Sequence, residues 1–207
     1  MRSVVPFAVE SPKSRLSGIL SPSERHAFSR AMVVDVLSAT AAAGYRPTLL
    51  ATAAIDDDRI TSRASIVVDD RPLTAAVNAQ LADGEPTLVV MADLPLIEAE
   101  DVRRLADSQA DITVAAGLGG GTNALAVREP SFRVDYHGAS YLDHCQAAER
   151  LGATLEAVDS RRLATDIDEP ADLAEVMIHS NGEAAQWLVA AGFELETTDG
   201  RVGVSRG

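Results

Sequence analysis

Thr87-Leu88-Val89-Val90-Met91-Ala92-Asp93-Leu94-Pro95 sets the architecture. Its apolar run is continuous, as in a strand with both faces covered, where the two alternating sets of side chains each meet packed neighbours. Pro95 has no amide hydrogen to give to a ladder, so the strand stops before it. Outward from this stretch, short apolar runs predict further strands at 4–7, 48–53, 66–68, 112–116, 124–127 and 154–158. Helices are predicted at 21–43, 73–81, 98–106, 141–151 and 171–179. The first opens with Ser21-Pro22-Ser23-Glu24, which supplies a cap residue, a proline at the first helical position and an acidic first turn. Ala27, Ala31, Val34 and Leu37 then recur at helical spacing until Gly44. Alternation of strand and helix predicts an α/β fold, a mostly parallel central sheet with helices on both faces. Near the end, Asp199-Gly200 favours a tight turn and predicts a hairpin over 193–204.

The 207 residues, 46% hydrophobic, suffice for one sizeable core, so a single domain over 1–207 is expected. No apolar run reaches the length of a membrane span, and residues 1–6 lack the apolar stretch of a signal peptide. We therefore expect a soluble, cytoplasmic protein with no membrane partner. The single cysteine, Cys145, excludes an internal disulfide and a cysteine-rich metal site, and is expected to be a buried structural thiol. A formal net charge of −13 argues against nucleic acid as a partner, because that attraction rests on clustered Lys and Arg facing phosphates. Acidic residues are spread along the chain, and the basic set is almost entirely arginine, with Lys13 the only lysine. Such a surface suits high salt, where a Debye length of about 3 Å at roughly molar salt screens its self-repulsion.

In open parallel sheets ligands bind beyond the carboxyl ends of the strands, so reactive side chains there are the candidates. Asp93 directly follows the strongest strand, where a carboxylate can hold Mg²⁺ over a bound phosphate in an oxygen-rich shell; the alternative is a cap on the following helix. Asp166 and Asp168 alternate in an extended segment before Pro170 and so share one side of it, where one or both can complete a metal site with Asp93; the alternative is that Asp168 or Glu169 caps the next helix. Lys13 and Arg15 lie in the polar loop after the first strand, a point charge and a bidentate fork suited to a triphosphate. Gly117-Leu118-Gly119-Gly120-Gly121-Thr122-Asn123 can bring backbone N–H groups close to an anion, but lacks the final lysine of a P-loop. His137, Ser140 and His144 match neither a metal-ligand pattern nor a hydrolase elbow, and are expected near the substrate end of the site.

Taken in order, five stretches resemble the archaeal 2-phospho-L-lactate guanylyltransferase family over nearly the whole chain. They are Val5-Pro6-Phe7 with Pro12-Lys13-Ser14-Arg15-Leu16; Asp69-Asp70-Arg71-Pro72-Leu73 with Asn78; Met91-Ala92-Asp93-Leu94-Pro95; Gly119 to Leu125 with Tyr136-His137-Gly138-Ala139-Ser140; and residues 164–173. The resemblance implies a nucleotide-diphospho-sugar transferase (Rossmann-like) fold, a homodimer, GTP with Mg²⁺, and a place in coenzyme F-420 biosynthesis. It implies transfer of GMP from GTP to (2S)-2-phospholactate, giving lactyl-2-diphospho-5'-guanosine and pyrophosphate. By the same resemblance Asp93 and an aspartate of the Asp166/Asp168 pair hold metal, Lys13 and Arg15 meet phosphates, and Thr122 and Ser140 contact the phospho-acid. Pro6, Phe7, Asp70 and Asn78 fall on the nucleotide side. Many relatives of this fold carry a glycine-rich first loop, whereas residues 7–12 here do not, which leaves open which backbone groups hold the triphosphate. A related nucleotidyltransferase acting on phosphoenolpyruvate or another phosphorylated acceptor, and a noncatalytic nucleotide-binding protein, are the alternatives that stay open at this point.

Overall fold

A computed structural model describes residues 1–10, 12–198 and 200–207. The strands are β1 (Arg2–Phe7), β2 (Pro47–Ala51), β3 (Ser65–Val68), β4 (Thr87–Val90), β5 (Ile112–Ala116), β6 (Thr122–Val127) and β7 (Leu155–Ala157), followed by β8 (Phe193–Thr198) and β9 (Arg201–Arg206). The helices are α1 (Pro22–Ala42), α2 (Asp58–Thr61), α3 (Leu73–Leu81), α4 (Ala99–Asp107), α5 (Ser140–Leu151), α6 (Arg161–Ala164), α7 (Asp172–His179) and α8 (Glu183–Ala190), with a short 3-10 turn over Ser14–Gly18.

Seven strands form one sheet in the order β3-β2-β1-β4-β6-β5-β7. All neighbours are parallel except β6, which runs antiparallel to both β4 and β5. The sheet is therefore mostly parallel, as expected, with one reversed strand. That reversal follows from the glycine loop, because a link this short cannot carry a chain across the sheet to re-enter in parallel.

Strand alternation divides the core in two. Val5, Leu88, Val90, Ala124 and Ala126 pack with residues of α1 and α4, while Val4, Val89, Val114 and Leu125 pack with residues of α3 and α5. Both faces are thus covered, which is why β4 is apolar at every position. A third cluster joins Leu16 and Leu20 of the first loop to Phe28 and Met32 of α1, Ile167, and Leu173 and Leu188 of α7 and α8. It anchors the loop carrying Lys13 and the segment carrying Asp168 to one base.

α1 begins as its sequence dictates: the Ser21 side chain accepts from the Glu24 amide, and the Glu24 carboxylate returns a contact to Ser21. β8 and β9 pair as a separate antiparallel ribbon over 193–206; of the expected Asp199-Gly200 turn, Asp199 lies outside the described residues. Cys145 is half-buried rather than buried. No described helix is long and apolar enough to cross a membrane.

Candidate active site

The sheet changes its direction of strand order at β1, whose neighbours are β2 and β4. Such a switch point leaves a crevice beyond the carboxyl ends, because the connections leave to opposite sides. A cleft of about 700 Å³ occupies this place. Its walls come from Pro6, Phe7 and Ala8 after β1, Leu50 and Thr52 at the end of β2, Asp69 to Leu73 after β3, and Met91, Ala92 and Asp93 after β4. Pro12 to Arg15 and Asp168 close one end.

At that end the only lysine of the chain meets the acidic residues. Lys13 Nζ donates to Asp93 Oδ2 at 2.7 Å and to Asp168 Oδ1 at 2.7 Å, and the Arg15 guanidinium donates to Asp168 Oδ2 at 2.9 Å. The Lys13 side chain is 10% exposed. Burial pulls its pKa down, but the carboxylates of Asp93 and Asp168 outweigh this and hold it above the ordinary lysine value. Lys13 also takes the left-handed backbone conformation, φ 53°, unusual for a residue with a Cβ. Such a conformation costs about 1–3 kcal/mol and persists where surrounding contacts fix it, here two ion pairs.

Asp166 lies beside this cluster. The Asn123 amide nitrogen donates to Asp166 Oδ1 at 3.2 Å and to the Leu163 carbonyl at 2.9 Å. Burial first, then the negative charges of Asp93 and Asp168, raise the Asp166 pKa against the pull of that hydrogen bond. Gly117 is required by the same contact, since a Cβ there would lie 2.7 Å from Asn123 Oδ1. Neither Asp168 nor Glu169 caps α7; instead the Asp172 carboxylate accepts from the amides of both. Nor does Asp93 cap α4, whose N-cap is Glu98. The capping alternatives are thus removed, and both aspartates are left facing the cleft.

Among the described residues no three His, Cys, Asp or Glu side chains form a ready metal cage. Mg²⁺ does not need one, because it keeps several waters and takes one or two carboxylates plus substrate phosphates. Asp93 and Asp168 already place one oxygen each around a single cation, the Lys13 ammonium, and Asp93 Oδ1 has no hydrogen-bond partner among the described residues. The donor set fits Mg²⁺.

Pro6, Phe7 and Asp70 line the cleft. Asn78 does not. Its amide donates to the Val134 carbonyl and accepts from the Val134 amide, both at 2.9 Å, so it pins α3 to the segment after β6; the place near guanosine is corrected to a structural one. Thr122 and Ser140 are buried outside the cleft wall, at the start of β6 and of α5, and Ser140 Oγ donates to Thr122 Oγ1 at 3.2 Å. His137 is exposed and pairs with Asp135, whereas His144 is fully buried. Thr52 and Asn123, to which the sequence assigned no role, hold parts of the site in place. Thr52 Oγ1 accepts from the Val9 amide at 2.9 Å and so ties down the first loop; its position at a strand end was the available signal.

The family model "Guanylyl transferase CofC like" matches residues 1–206. A 2-phospho-L-lactate guanylyltransferase of Haloterrigena turkmenica is 54% identical over 224 residues, covering 100% of this chain and 97% of its own length. Another so named, from Methanoregula boonei, is 44% identical and covers 99% of this chain and 94% of its own length. Among solved structures, a nucleotidyl transferase from Methanothermobacter aligns with TM-score 0.63 at 16% identity, over 92% of this chain and 99% of that one. At that identity the likeness is one of fold. By its sequence over the full length and by the sheet that carries its acidic cleft, the chain belongs to the CofC-like guanylyl transferase family.

Proposed function

We propose that the chain transfers GMP from GTP to (2S)-2-phospholactate, forming lactyl-2-diphospho-5'-guanosine and pyrophosphate in coenzyme F-420 biosynthesis. The observation that carries the proposal is Lys13 held between Asp93 and Asp168 at the switch point of the sheet, in a chain of this family.

A phosphate monoester has a second pKa near 6, so the acceptor phosphate is largely dianionic at neutral pH and attacks the α-phosphorus of GTP without a general base. One P–O bond forms at that phosphorus, the bond to the bridging oxygen breaks, and pyrophosphate leaves with that electron pair. The barrier lies in bringing two anions together, so catalysis is positioning and charge compensation. Lys13 and Arg15 turn from the carboxylates to the triphosphate. Mg²⁺ would be held by Asp93 and Asp168, with Asp166 beside them, and when bound supplies positive charge over the triphosphate. On the family resemblance, Asp70, Pro6 and Phe7 are assigned to the guanosine end, and Thr122 and Ser140, buried behind the cleft wall next to Asn123 and Asp166, to the phospho-acid end. We further propose a homodimer, on the resemblance, and a cytoplasmic location, on the lack of a long apolar run in the sequence; light scattering that gives a monomer mass at working concentration removes the dimer.

Phospholactate labelled with heavy oxygen on its phosphate tests the reaction. Label in the guanosine-linked product and none in pyrophosphate supports attack at the α-phosphorus. Label in a phospho-acid product without guanosine, with GMP or GDP released, contradicts it.

A further inference from the structure

The strongest unassigned feature is a buried histidine behind the glycine loop. His144, on α5, is 0% exposed and packs against the rings of Phe132 and Tyr136, with centroids 5.9 and 5.3 Å away. Both of its nitrogens are used. The backbone amide of Asp135 donates to Nε2 at 3.0 Å. An amide can only donate, so Nε2 is the unprotonated nitrogen and the neutral ring carries its proton on Nδ1. Nδ1 lies 2.8 Å from Thr122 Oγ1 and therefore donates to it. Burial keeps the ring neutral, with a pKa lowered to about 4.

The consequence falls on Thr122. Its hydroxyl oxygen accepts from His144 Nδ1 and from Ser140 Oγ, which uses both lone pairs. Its own proton has no acceptor among the described residues, although the residue is only 4% exposed. Thr122 is also the first residue of β6, at the end of the sheet where β4 and β5 finish. A hydroxyl whose lone pairs are both occupied can act only as a donor.

We propose that His144 is a positioning residue that fixes Thr122 as an obligate hydrogen-bond donor toward the anionic acceptor substrate. The inference rests on the phospho-acid contact assigned to Thr122 above. It adds how that contact gains its polarity: the imidazole, itself oriented by a backbone amide, dictates which way the hydroxyl proton points. An acceptor presenting phosphate or carboxylate oxygens is thereby favoured, and one presenting a donor at this place is rejected.

The test separates the two ring nitrogens. His144→Asn places an amide nitrogen near Nδ1 and keeps the donor to Thr122, whereas His144→Gln reaches the Nε2 position and keeps only the acceptor for Asp135. We expect the Gln variant to raise KM for phospholactate about tenfold, the value of one hydrogen bond of about 1.4 kcal/mol, with KM for GTP unchanged and the Asn variant near the parent. Equal behaviour of the two variants, or equal movement of both KM values, overturns the proposal. Thr122→Val distinguishes its failure from that of the underlying contact. If Thr122→Val leaves KM for phospholactate unchanged, the Thr122 contact is wrong and the proposal falls with it. If Thr122→Val raises that KM while His144→Gln does not, the contact stands and the role of His144 is wrong. Should neither His144 variant fold, nitrogen NMR of the parent reads the tautomer of His144: the Nδ1–H form is expected, and an Nε2–H form overturns the proposal.

Discussion

Acidification should unfold this protein partly through one histidine. His144 has a folded pKa lowered to about 4 from 6.5, first by burial, against the opposing pull of Asp143 and Asp135. In the unfolded chain it binds a proton at the ordinary value, so between these two limits the unfolded state holds more protons and stability rises with pH. The stabilisation is fully present above about pH 6.5 and is lost as the pH falls toward about 4. A shift of about 2.5 units corresponds to about 3 kcal/mol, a large share of a typical folding free energy. Urea unfolding at fixed high salt, across this window, measures it when the parent is compared with His144→Asn, which cannot titrate. Carboxylates common to both chains cancel in the difference. The parent should lose about 3 kcal/mol relative to the variant on acidification. A pH-independent difference, or a parent that gains, would refute the assignment of Nε2 as an acceptor.

Other predictions test separate parts of the account. Asp93→Asn should reduce turnover by at least about a hundredfold, as loss of a group compensating charge in the transition state does, while circular dichroism stays unchanged; near-normal turnover removes Asp93 from the mechanism. Gly182→Ala should destabilise the fold by about 1–2 kcal/mol, because the new Cβ would lie 2.3 Å from Asp35 Oδ1, whose carboxylate accepts from the Glu183 and Ala184 amides and caps α8; an unchanged thermal midpoint contradicts this. With a net charge of −13, stability and activity should both rise as salt is added up to molar concentrations. Equal stability and activity in dilute buffer count against a salt-adapted surface.

Much of the sheet was legible because its strands are short apolar runs, and such runs mark burial directly. Residues 48–53 and 154–158 were read slightly long, since backbone bonds at Thr52, Thr154 and Val158 extend the pairing just past the strands proper, Pro47–Ala51 and Leu155–Ala157. The direction of β6 was not read from its own residues, because alternation is the same in either sense; the length of the glycine loop held that information. The helix α8 was missed although Ala184, Ala185 and Leu188 recur along one face, and its cap could not be foreseen, since Asp35 is 148 residues from Glu183. The site was legible at the level of strand ends: Lys13, Asp93 and Asp168 each follow or flank a predicted element. That one ammonium joins two aspartates, 80 and 155 residues away, came only from the folded chain. Asn78 shows the opposite limit. Its sequence neighbourhood pointed to nucleotide, but its amide is consumed by the Val134 backbone.

Pyrophosphate release in high salt with Mg²⁺, from GTP with phospholactate or phosphoenolpyruvate and with ATP and CTP as controls, tests the central claim most directly. The account predicts release that requires GTP and phospholactate together. Release with phosphoenolpyruvate alone would contradict the acceptor, and no release from any pair would contradict guanylyl transfer itself.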